Sequence, residues 1–244
     1  MQLRSLKDKV AVVTGASSGI GAAAARALHG EGMQVVIAAR SGDKLQALRD
    51  ELGDGCVALP TDVGDEAQAQ ALFQSVRDAY GGLDLLFNNA GVGYYGPFEQ
   101  GDTAQWRATI DANLYGVLFC TRAAIPLLRG RPGAMINTVS SVGGRYGIEG
   151  WAVYNATKFA VVGLHDALRK ELGGEGIRVS LIEPGMVYTG WGYNMTAQRM
   201  RERRDGVDAL HAEDIARALV YAYAQPDNVN VQEMLVMPTR QTFP

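Results

Sequence analysis

Short runs of apolar residues alternate with amphipathic segments along almost the whole chain. The runs are rich in Val, Ile, Leu and Ala without polar alternation, which is typical of strands covered on both faces of a sheet. They predict strands at Val10–Thr14, Gln34–Ala39, Cys56–Leu59, Leu83–Phe87, Ala134–Thr138, Ile177–Ile182 and Met234–Val236.

The segments between these runs carry apolar residues at helical spacing. One apolar stripe occupies positions 69–80 and another positions 215–223, where Pro226 ends the helix. Strands alternating with helices indicate βαβ units, and right-handed crossovers then produce a doubly wound parallel sheet. Because no linker, repeat or low-complexity tract interrupts the pattern, we expect residues 1–244 to form one α/β domain, a three-layer αβα fold of the Rossmann type.

Composition excludes several other classes of protein. The formal net charge is −3, so no whole-chain field favours nucleic acid or an anionic membrane. The two cysteines, Cys56 and Cys120, match no metal or disulfide spacing. The first residues lack the features of a signal peptide, and no apolar stretch is long enough to span a bilayer. We therefore expect a cytoplasmic protein with no metal, nucleic-acid or membrane partner.

A glycine-rich turn directly follows the first strand and opens an alanine-rich helix. Its glycines permit a tight turn and a close approach of the backbone to a diphosphate, and the helix N-terminus adds free N–H groups. The spacing is G-x-x-x-G-x-G in the first βα turn. This context predicts a dinucleotide cofactor bound by Gly15, Ser17, Ser18, Gly19, Ile20 and Gly21.

The end of the second strand indicates which dinucleotide is bound. An NAD site has an acidic residue there, about twenty residues past the glycines, to accept from the ribose hydroxyls. This chain has Arg40 instead. A guanidinium matches the 2′-phosphate of NADP(H), so NADP(H) is the expected cofactor. The alternative is a solvated arginine paired with Asp43.

A tyrosine and a lysine stand four residues apart at the start of a helical segment that runs to about Leu172. On a helix Tyr154 and Lys158 share one face. A phenol titrates near pH 10, and a nearby ammonium stabilises the phenolate and lowers that pKa. Ser141 follows a strand at the carboxyl edge of the sheet, where ligands of such folds bind. The sequence thus predicts an acid–base site at this edge.

These motifs together resemble the classical short-chain dehydrogenase/reductase family, in its NADP-preferring branch, from Lys9 to about Val236. The matching motifs are T-G-x-x-x-G-x-G at 14–21, Asp62-Val63, Asn88-Asn89-Ala90-Gly91, Asn113, Ser141, Tyr154-x-x-x-Lys158, and Pro184-Gly185 followed by Thr189.

The resemblance implies roles for four catalytic residues. Ser141 would orient and polarise the substrate carbonyl, and Tyr154 would give or take the proton. Lys158 would lower the pKa of Tyr154 and bind the nicotinamide ribose. Asn113 would hold a helix kink and a water molecule in the proton relay.

The resemblance also implies cofactor contacts outside the glycine turn. Asp62 and Val63 would contact the adenine. The adenosine ribose side would be contacted by Asn89, together with Ala90 and Gly91. The nicotinamide carboxamide would meet Val187 and Thr189, after Pro184-Gly185. The family further implies a substrate lid around residues 186–207 and a homotetramer or dimer.

The implied function is hydride transfer between NADP(H) and a ketone, aldehyde or alcohol, with Tyr154 as general acid/base. The alternatives are a non-catalytic NADP(H)-binding regulatory protein and an NAD-preferring alcohol dehydrogenase. An extended-branch epimerase would need a longer C-terminal part than the sixty residues after Pro184. A divergent enoyl reductase would need a wider spacing between the tyrosine and the lysine than the four positions found here. The segment Glu233–Gln241 resembles a subgroup acting on polar metabolites, which includes serine-type dehydrogenases.

Three further features are open to interpretation. Tyr188, Trp191 and Tyr193 either close the lid on an apolar or planar group or pack it against the body. A basic cluster, formed by Arg199, Arg201, Arg203 and Arg204, favours a solvated helix face over a surface that attracts an anionic substrate. Asp84, at the start of a strand, is expected to bond locally.

Overall fold

A computed structural model describes residues 3–190 and 193–242. Within them seven strands form one sheet, and each predicted strand is confirmed with ends that differ by at most two residues. The strands are β1 (Val10–Thr14), β2 (Gln34–Ala39), β3 (Cys56–Pro60), β4 (Leu85–Asn88), β5 (Met135–Val139), β6 (Arg178–Pro184) and β7 (Glu233–Val236).

The strand order is β3-β2-β1-β4-β5-β6-β7, and every neighbouring pair is parallel. The chain builds outward from β1 to one edge and then returns through β4 to build the other half. This reversal places a switch point between β1 and β4, where doubly wound sheets bind ligands at the carboxyl ends of the strands. The expected three-layer, doubly wound α/β fold is confirmed.

Helices cover both faces of the sheet. They are α1 (Gly19–Gly30), α2 (Gly42–Leu52), α3 (Glu66–Tyr80), α4 (Thr103–Ile110), α5 (Gly116–Leu128), α6 (Ala152–Leu172), α7 (Ala197–Val207) and α8 (Ala212–Tyr223). One apolar layer joins α1, α2 and α8 to the sheet, and the other joins α3, α5 and α6 to the opposite face. Because both faces are covered, β1, β4, β5 and β6 are buried along their whole lengths.

Asp84 does not bond locally as expected. Its fully buried carboxylate accepts a hydrogen bond from the Val10 N–H at 2.9 Å and pairs with Arg131 at 2.6 Å. Burial opposes ionisation, but the bonds from Arg131 and Val10 outweigh it and hold the pKa of Asp84 below its ordinary value. The carboxylate therefore joins β1 to β4 at the amino end of the switch point, opposite the ligand edge.

Neither cysteine forms a disulfide, and both thiols are buried. Burial raises the pKa of Cys120 to about 12, so this thiol is unreactive at neutral pH. Within residues 3–190 and 193–242, no helix combines the length and the apolar character needed to cross a bilayer.

Candidate active site

A cavity of about 520 Å³ lies over the switch point, between the loops that follow the strands. The structure brings nearly all the predicted site residues to it. The lining includes Gly15, Ser17, Ser18, Gly19, Ile20, Arg40, Asp62, Val63, Asn89, Ala90, Gly91, Ser141, Tyr154, Lys158, Pro184, Gly185, Val187 and Thr189. Two predicted residues, Gly21 and Asn113, lie behind this surface.

Two glycines of the glycine turn, Gly15 and Gly21, have no room for a side chain. Gly15 has φ +65°, and a Cβ there would lie 2.7 Å from the Cα of Ala90. A Cβ at Gly21 would lie 2.4 Å from the Gly15 carbonyl oxygen. Gly21, which was predicted to bind the cofactor, does not line the cavity. It faces the turn instead and lets α1 pack closely against it.

The amino end of α1 points into the cavity with its backbone donors available. The N-cap residue, Ser18, makes no side-chain hydrogen bond to the first turn, and that turn has no acidic residue. The uncapped N–H groups and the positive end of the helix dipole favour an anion. This arrangement fits the diphosphate of a dinucleotide.

Asn89 holds the glycine turn in shape. Its Nδ2 donates to the carbonyl oxygens of Thr14, at 2.9 Å, and Gly15, at 3.3 Å. The Thr14 hydroxyl in turn accepts from the N–H groups of Asn89 and Ala90. The amide protons of Asn89 are therefore committed to the backbone, and its predicted ribose contact is left to the side-chain oxygen.

Two basic side chains stand at the end of β2. Arg40 and Lys44 both line the cavity and are solvent-exposed. Among the described residues, no ion pair joins Arg40 to Asp43. Sequence reasoning missed Lys44, although its position in the first turn of the helix that follows Arg40 could have indicated it. A dianion at this end of the cavity would meet two cations.

The three predicted acid–base residues meet at the other end of the cavity. α6 begins at Ala152, so Tyr154 and Lys158 lie one turn apart, with the lysine Nζ 5.6 Å from the tyrosine ring centre. The Tyr154 hydroxyl is hydrogen-bonded to Ser141. The Ser141 Oγ also accepts from the Gly143 N–H at 3.0 Å, which fixes its position at the end of β5.

Burial moves the pKa values of Tyr154 and Lys158 in opposite directions. It raises the pKa of Tyr154 to about 12, because its effect is larger than that of the Ser141 hydrogen bond, which lowers this pKa. It lowers the pKa of Lys158 to about 8, and the Nζ donates to the Val139 carbonyl at 2.7 Å. The expected net lowering of the tyrosine pKa is not found.

Asn113 lies in one π-helical turn, Asp111–Tyr115, between α4 and α5. Its fully buried side chain accepts from the Val92 N–H at 2.8 Å and donates to the Val92 carbonyl at 2.9 Å. Its Nδ2 also donates to the Thr157 hydroxyl at 3.1 Å, which donates to the Tyr154 carbonyl at 2.7 Å. The predicted helix irregularity is confirmed, and Thr157, which sequence reasoning missed, connects it to α6.

The end of the cavity beside Tyr154 is lined mainly by aromatic and apolar side chains. They include Val142, Ile148, Trp151, Met186, Tyr193, Met195 and Met200. Trp151 packs edge-on against the Tyr154 ring with centroids 5.8 Å apart. A small organic substrate would be enclosed here next to the phenol.

The lid aromatics do not all have one role. Tyr193 lines the cavity and also stacks on Tyr94 at 5.2 Å. Tyr188 packs against the body, since it stacks on His211 at the start of α8, and it also donates to the Asp205 carboxylate of the lid at 2.9 Å. The third aromatic residue, Trp191, lies outside the described residues.

The four arginines of the basic cluster differ in their exposure. Arg203 and Arg204 line the cavity, whereas Arg199 and Arg201 are exposed. The interpretation of the cluster as a solvated face is therefore wrong for two of its four members. Sequence reasoning also missed Gln241, whose side-chain oxygen accepts from the Met186 N–H at 2.8 Å. The two residues are 55 positions apart, so no local signal could indicate this contact.

Comparisons with known proteins agree with this geometry. The profile of the short chain dehydrogenase family matches residues 9–200. An uncharacterised oxidoreductase of Staphylococcus aureus (strain MRSA252) is 39% identical over 237 residues, covering 96% of this chain and 98% of that protein.

Two solved structures also superpose closely on this chain. The closed form of a serine dehydrogenase complexed with NADP+ has a TM-score of 0.92 at 30% identity, covering 96% of each chain. A 3-ketoacyl-(acyl-carrier-protein) reductase from Brucella melitensis complexed with NADH has a TM-score of 0.86 at 29% identity, covering 97% of this chain and 99% of that one.

The doubly wound parallel sheet, the glycine turn at its switch point and these comparisons together identify the protein as an α/β oxidoreductase with a site that fits a nicotinamide nucleotide. The chain belongs to the short-chain dehydrogenase/reductase family.

Proposed function

We propose that the protein is an NADP(H)-dependent oxidoreductase that reduces a ketone or aldehyde, and oxidises the corresponding alcohol, with Tyr154 as general acid/base. The observation that carries the proposal is the Tyr154 hydroxyl, hydrogen-bonded to Ser141 and one helical turn from the buried ammonium of Lys158. This group lies at the enclosed end of the cavity, and the glycine turn and two cations lie at the other end.

The bound nicotinamide would supply or accept the hydride, and the protein's own residues handle the proton. With its pKa raised to about 12, Tyr154 is protonated at neutral pH and can donate to the oxygen of a carbonyl as it is reduced. Ser141 is placed to donate a second hydrogen bond to the same oxygen. The apolar wall around Trp151 excludes water, which strengthens both interactions.

The preference for NADP(H) rests on charge at the end of β2. Arg40 and Lys44 would neutralise the 2′-phosphate, and the carboxylate that NAD sites place there is missing from this chain. The Asp62 carboxylate stands on the neighbouring β3 loop and accepts from the Gly64 N–H at 3.0 Å. The solved relatives hold NADP+ in one case and NADH in the other, so the preference needs its own test.

Replacing Ala39 by Asp together with Arg40 by Ser should reverse the cofactor preference. The change removes a charge-assisted contact and adds repulsion to the phosphate, so we expect kcat/KM for NADPH to fall by about 10- to 100-fold and that for NADH to rise. Turnover at saturating cofactor should change little, because this end of the cavity is far from Tyr154. Arg49→Ser, on the exposed side of α2, is the matched control. A parent enzyme that already prefers NADH would refute the assignment of Arg40.

The proposed activity is tested by NADPH oxidation with a panel of small ketones and aldehydes. The alternative, a non-catalytic NADP(H)-binding regulatory protein, predicts cofactor binding without oxidation of NADPH by any carbonyl compound. The hydrogen bond between Ser141 and Tyr154, with the Lys158 Nζ 5.6 Å from the tyrosine ring centre, favours the enzyme. Dinucleotide binding measured by fluorescence, in the absence of turnover, would favour the regulatory protein.

We also propose that the protein is a homodimer or homotetramer. The resemblance to the family implies interfaces on the segments 113–128 and 151–172. Tyr115 and Phe159 on these segments are exposed, and Tyr115 stacks on Phe119 at 5.6 Å. Such an aromatic surface would be covered by a second copy of the chain. Light scattering that finds only a monomer at micromolar concentration would contradict this. The cytoplasmic location and the absence of nucleic-acid and membrane partners stay predictions of the sequence.

A further inference from the structure

α7 presents two different faces. Met200, Arg203 and Arg204, at positions i, i+3 and i+4, line the cavity, whereas Arg201 and Glu202 are exposed. This is the spacing of residues that share one side of a helix. The orientation of α7 therefore decides which arginines reach the site.

Side-chain contacts hold α7 in this orientation near both ends. Before its first turn, Asn194 Nδ2 donates to Gln105 Oε1 at 2.9 Å, and within that turn an Arg199 Nη donates to the Tyr95 hydroxyl at 3.0 Å. In the last turn, Asp205 accepts from the Tyr188 hydroxyl at 2.9 Å. Turning the inner face away from the cavity would break these contacts.

The cavity is strongly cationic. Among its described lining residues, one acidic side chain, Asp62, faces five basic ones: Arg40, Lys44, Lys158, Arg203 and Arg204. A cavity of one charge sign raises the local concentration of ligands of the opposite sign. The expected ligand is thus anionic, and the dinucleotide accounts for part of this charge.

Each of the other four basic residues of the cavity has a different place or partner. Arg203 is therefore the residue that could bind a further anion. Arg40 and Lys44 stand at the end of β2, and Lys158 is bonded to the Val139 carbonyl. Burial lowers the pKa of Arg204, and the nearby Tyr188 and Asp205 raise it. Arg204 therefore lies next to acidic groups of the lid itself. Arg203 lies one turn from Arg199, on the side of α7 that also presents Met200 to the cavity.

We propose that Arg203 binds a carboxylate of the substrate, so that the substrates are small oxo acids and the corresponding hydroxy acids. This inference rests on the proposed function and adds the substrate class. The apolar groups beside Tyr154, among them Trp151 and Met195, bring no compensating charge. A planar guanidinium matches a carboxylate through two parallel hydrogen bonds, which would orient the carbonyl toward Tyr154.

The experiment compares three oxo acids with their methyl esters as substrates of the NADPH-loaded enzyme. Pyruvate, acetoacetate and levulinate place the carboxylate at increasing distance from the ketone, and each ester removes the charge. We expect the wild type to prefer at least one acid over its ester by about 10- to 100-fold in kcat/KM, the range of a hydrogen-bonded charge pair.

Arg203→Met should abolish that preference by raising the KM of the acid, without changing the kinetics of the ester or the KM of NADPH. Arg201→Met, on the outer face of the same helix, should behave as wild type. A wild type that prefers esters would overturn the proposal. A second result would also overturn it. If Arg203→Met raises the KM of NADPH and lowers kcat/KM equally for acid and ester, Arg203 binds the dinucleotide.

A binding measurement separates this inference from the proposed function. Each acid is titrated calorimetrically into the wild type and the Arg203→Met variant, both saturated with NADP+. Binding that Arg203→Met weakens by about 10-fold or more supports the carboxylate site, even if no carbonyl compound is reduced and the proposed function fails. Absence of binding to the wild type overturns the site, even if neutral ketones are turned over.

Discussion

Tyr154→Phe should abolish nearly all turnover while leaving the fold and the binding of NADPH intact. The substitution removes one hydroxyl from a partly buried ring that stays packed against Trp151. A positioned general acid contributes about 10²- to 10⁴-fold to rate, so we expect kcat to fall by this factor. The measurement is NADPH oxidation with a saturating carbonyl substrate, together with cofactor affinity by fluorescence.

The matched control for this substitution is Tyr146→Phe. Tyr146 lies close in sequence to Ser141 but is exposed, so the loss of its hydroxyl should leave the kinetics unchanged. Circular dichroism of both variants would show whether the fold is retained. If kcat of Tyr154→Phe stays within tenfold of the parent, another group protonates the substrate and the role of Tyr154 is wrong.

Lys158→Met should reduce alcohol oxidation at neutral pH by about 100-fold. An ammonium 5.6 Å from the tyrosine ring centre stabilises a phenolate by about 3 kcal/mol at an effective dielectric constant of about 20, which corresponds to about two pKa units. This stabilisation exists only where Lys158 is protonated, below its pKa of about 8. The ratio of wild-type to variant rates should therefore shrink as the pH rises through 8.

The same substitution should change the pH dependence of stability. The lysine pKa is about 8 in the folded protein and 10.5 in an unperturbed side chain. Between these values the unfolded chain binds more protons, so the free energy of unfolding of the wild type rises with pH, by about 3 kcal/mol in total. The variant should lack this rise. Lys158→Arg, whose guanidinium stays protonated over this range, should lack the rise as well. Parallel stability curves for wild type and Met variant would contradict the burial of a charged amine.

The sequence predicted the central strands well because β1, β4, β5 and β6 are buried on both faces. β1 and β2 begin and end at the predicted residues, and each contains a continuous apolar run of at least four residues. The glycine turn and the Tyr154–Lys158 pair were also predictable, because each depends on spacing within one turn or one helix. Backbone geometry over a few residues determines such features.

The roles of several residues depended on partners far away in the chain. Asp84 bonds to Val10 and to Arg131 rather than locally, and Gln241 reaches the loop after β6. The sequence analysis interpreted Arg201 and Arg203 together as part of one solvated face, because no local pattern indicates which of them meets the cavity. Only the packing of α7 against Tyr95 and Tyr188 decided that.

The same division applies to the chemistry of the site. The sequence by itself determined which titratable groups come together, since Tyr154 and Lys158 share a helix face. Only the tertiary structure decided their pKa values, because desolvation is a sum over all the atoms that replace water around a group. Those atoms come from the ends of β4, β5 and β6 and from the lid, which no local pattern brings together. The fold is therefore set mainly by local periodicity and burial, and the acid–base behaviour of the site by long-range packing.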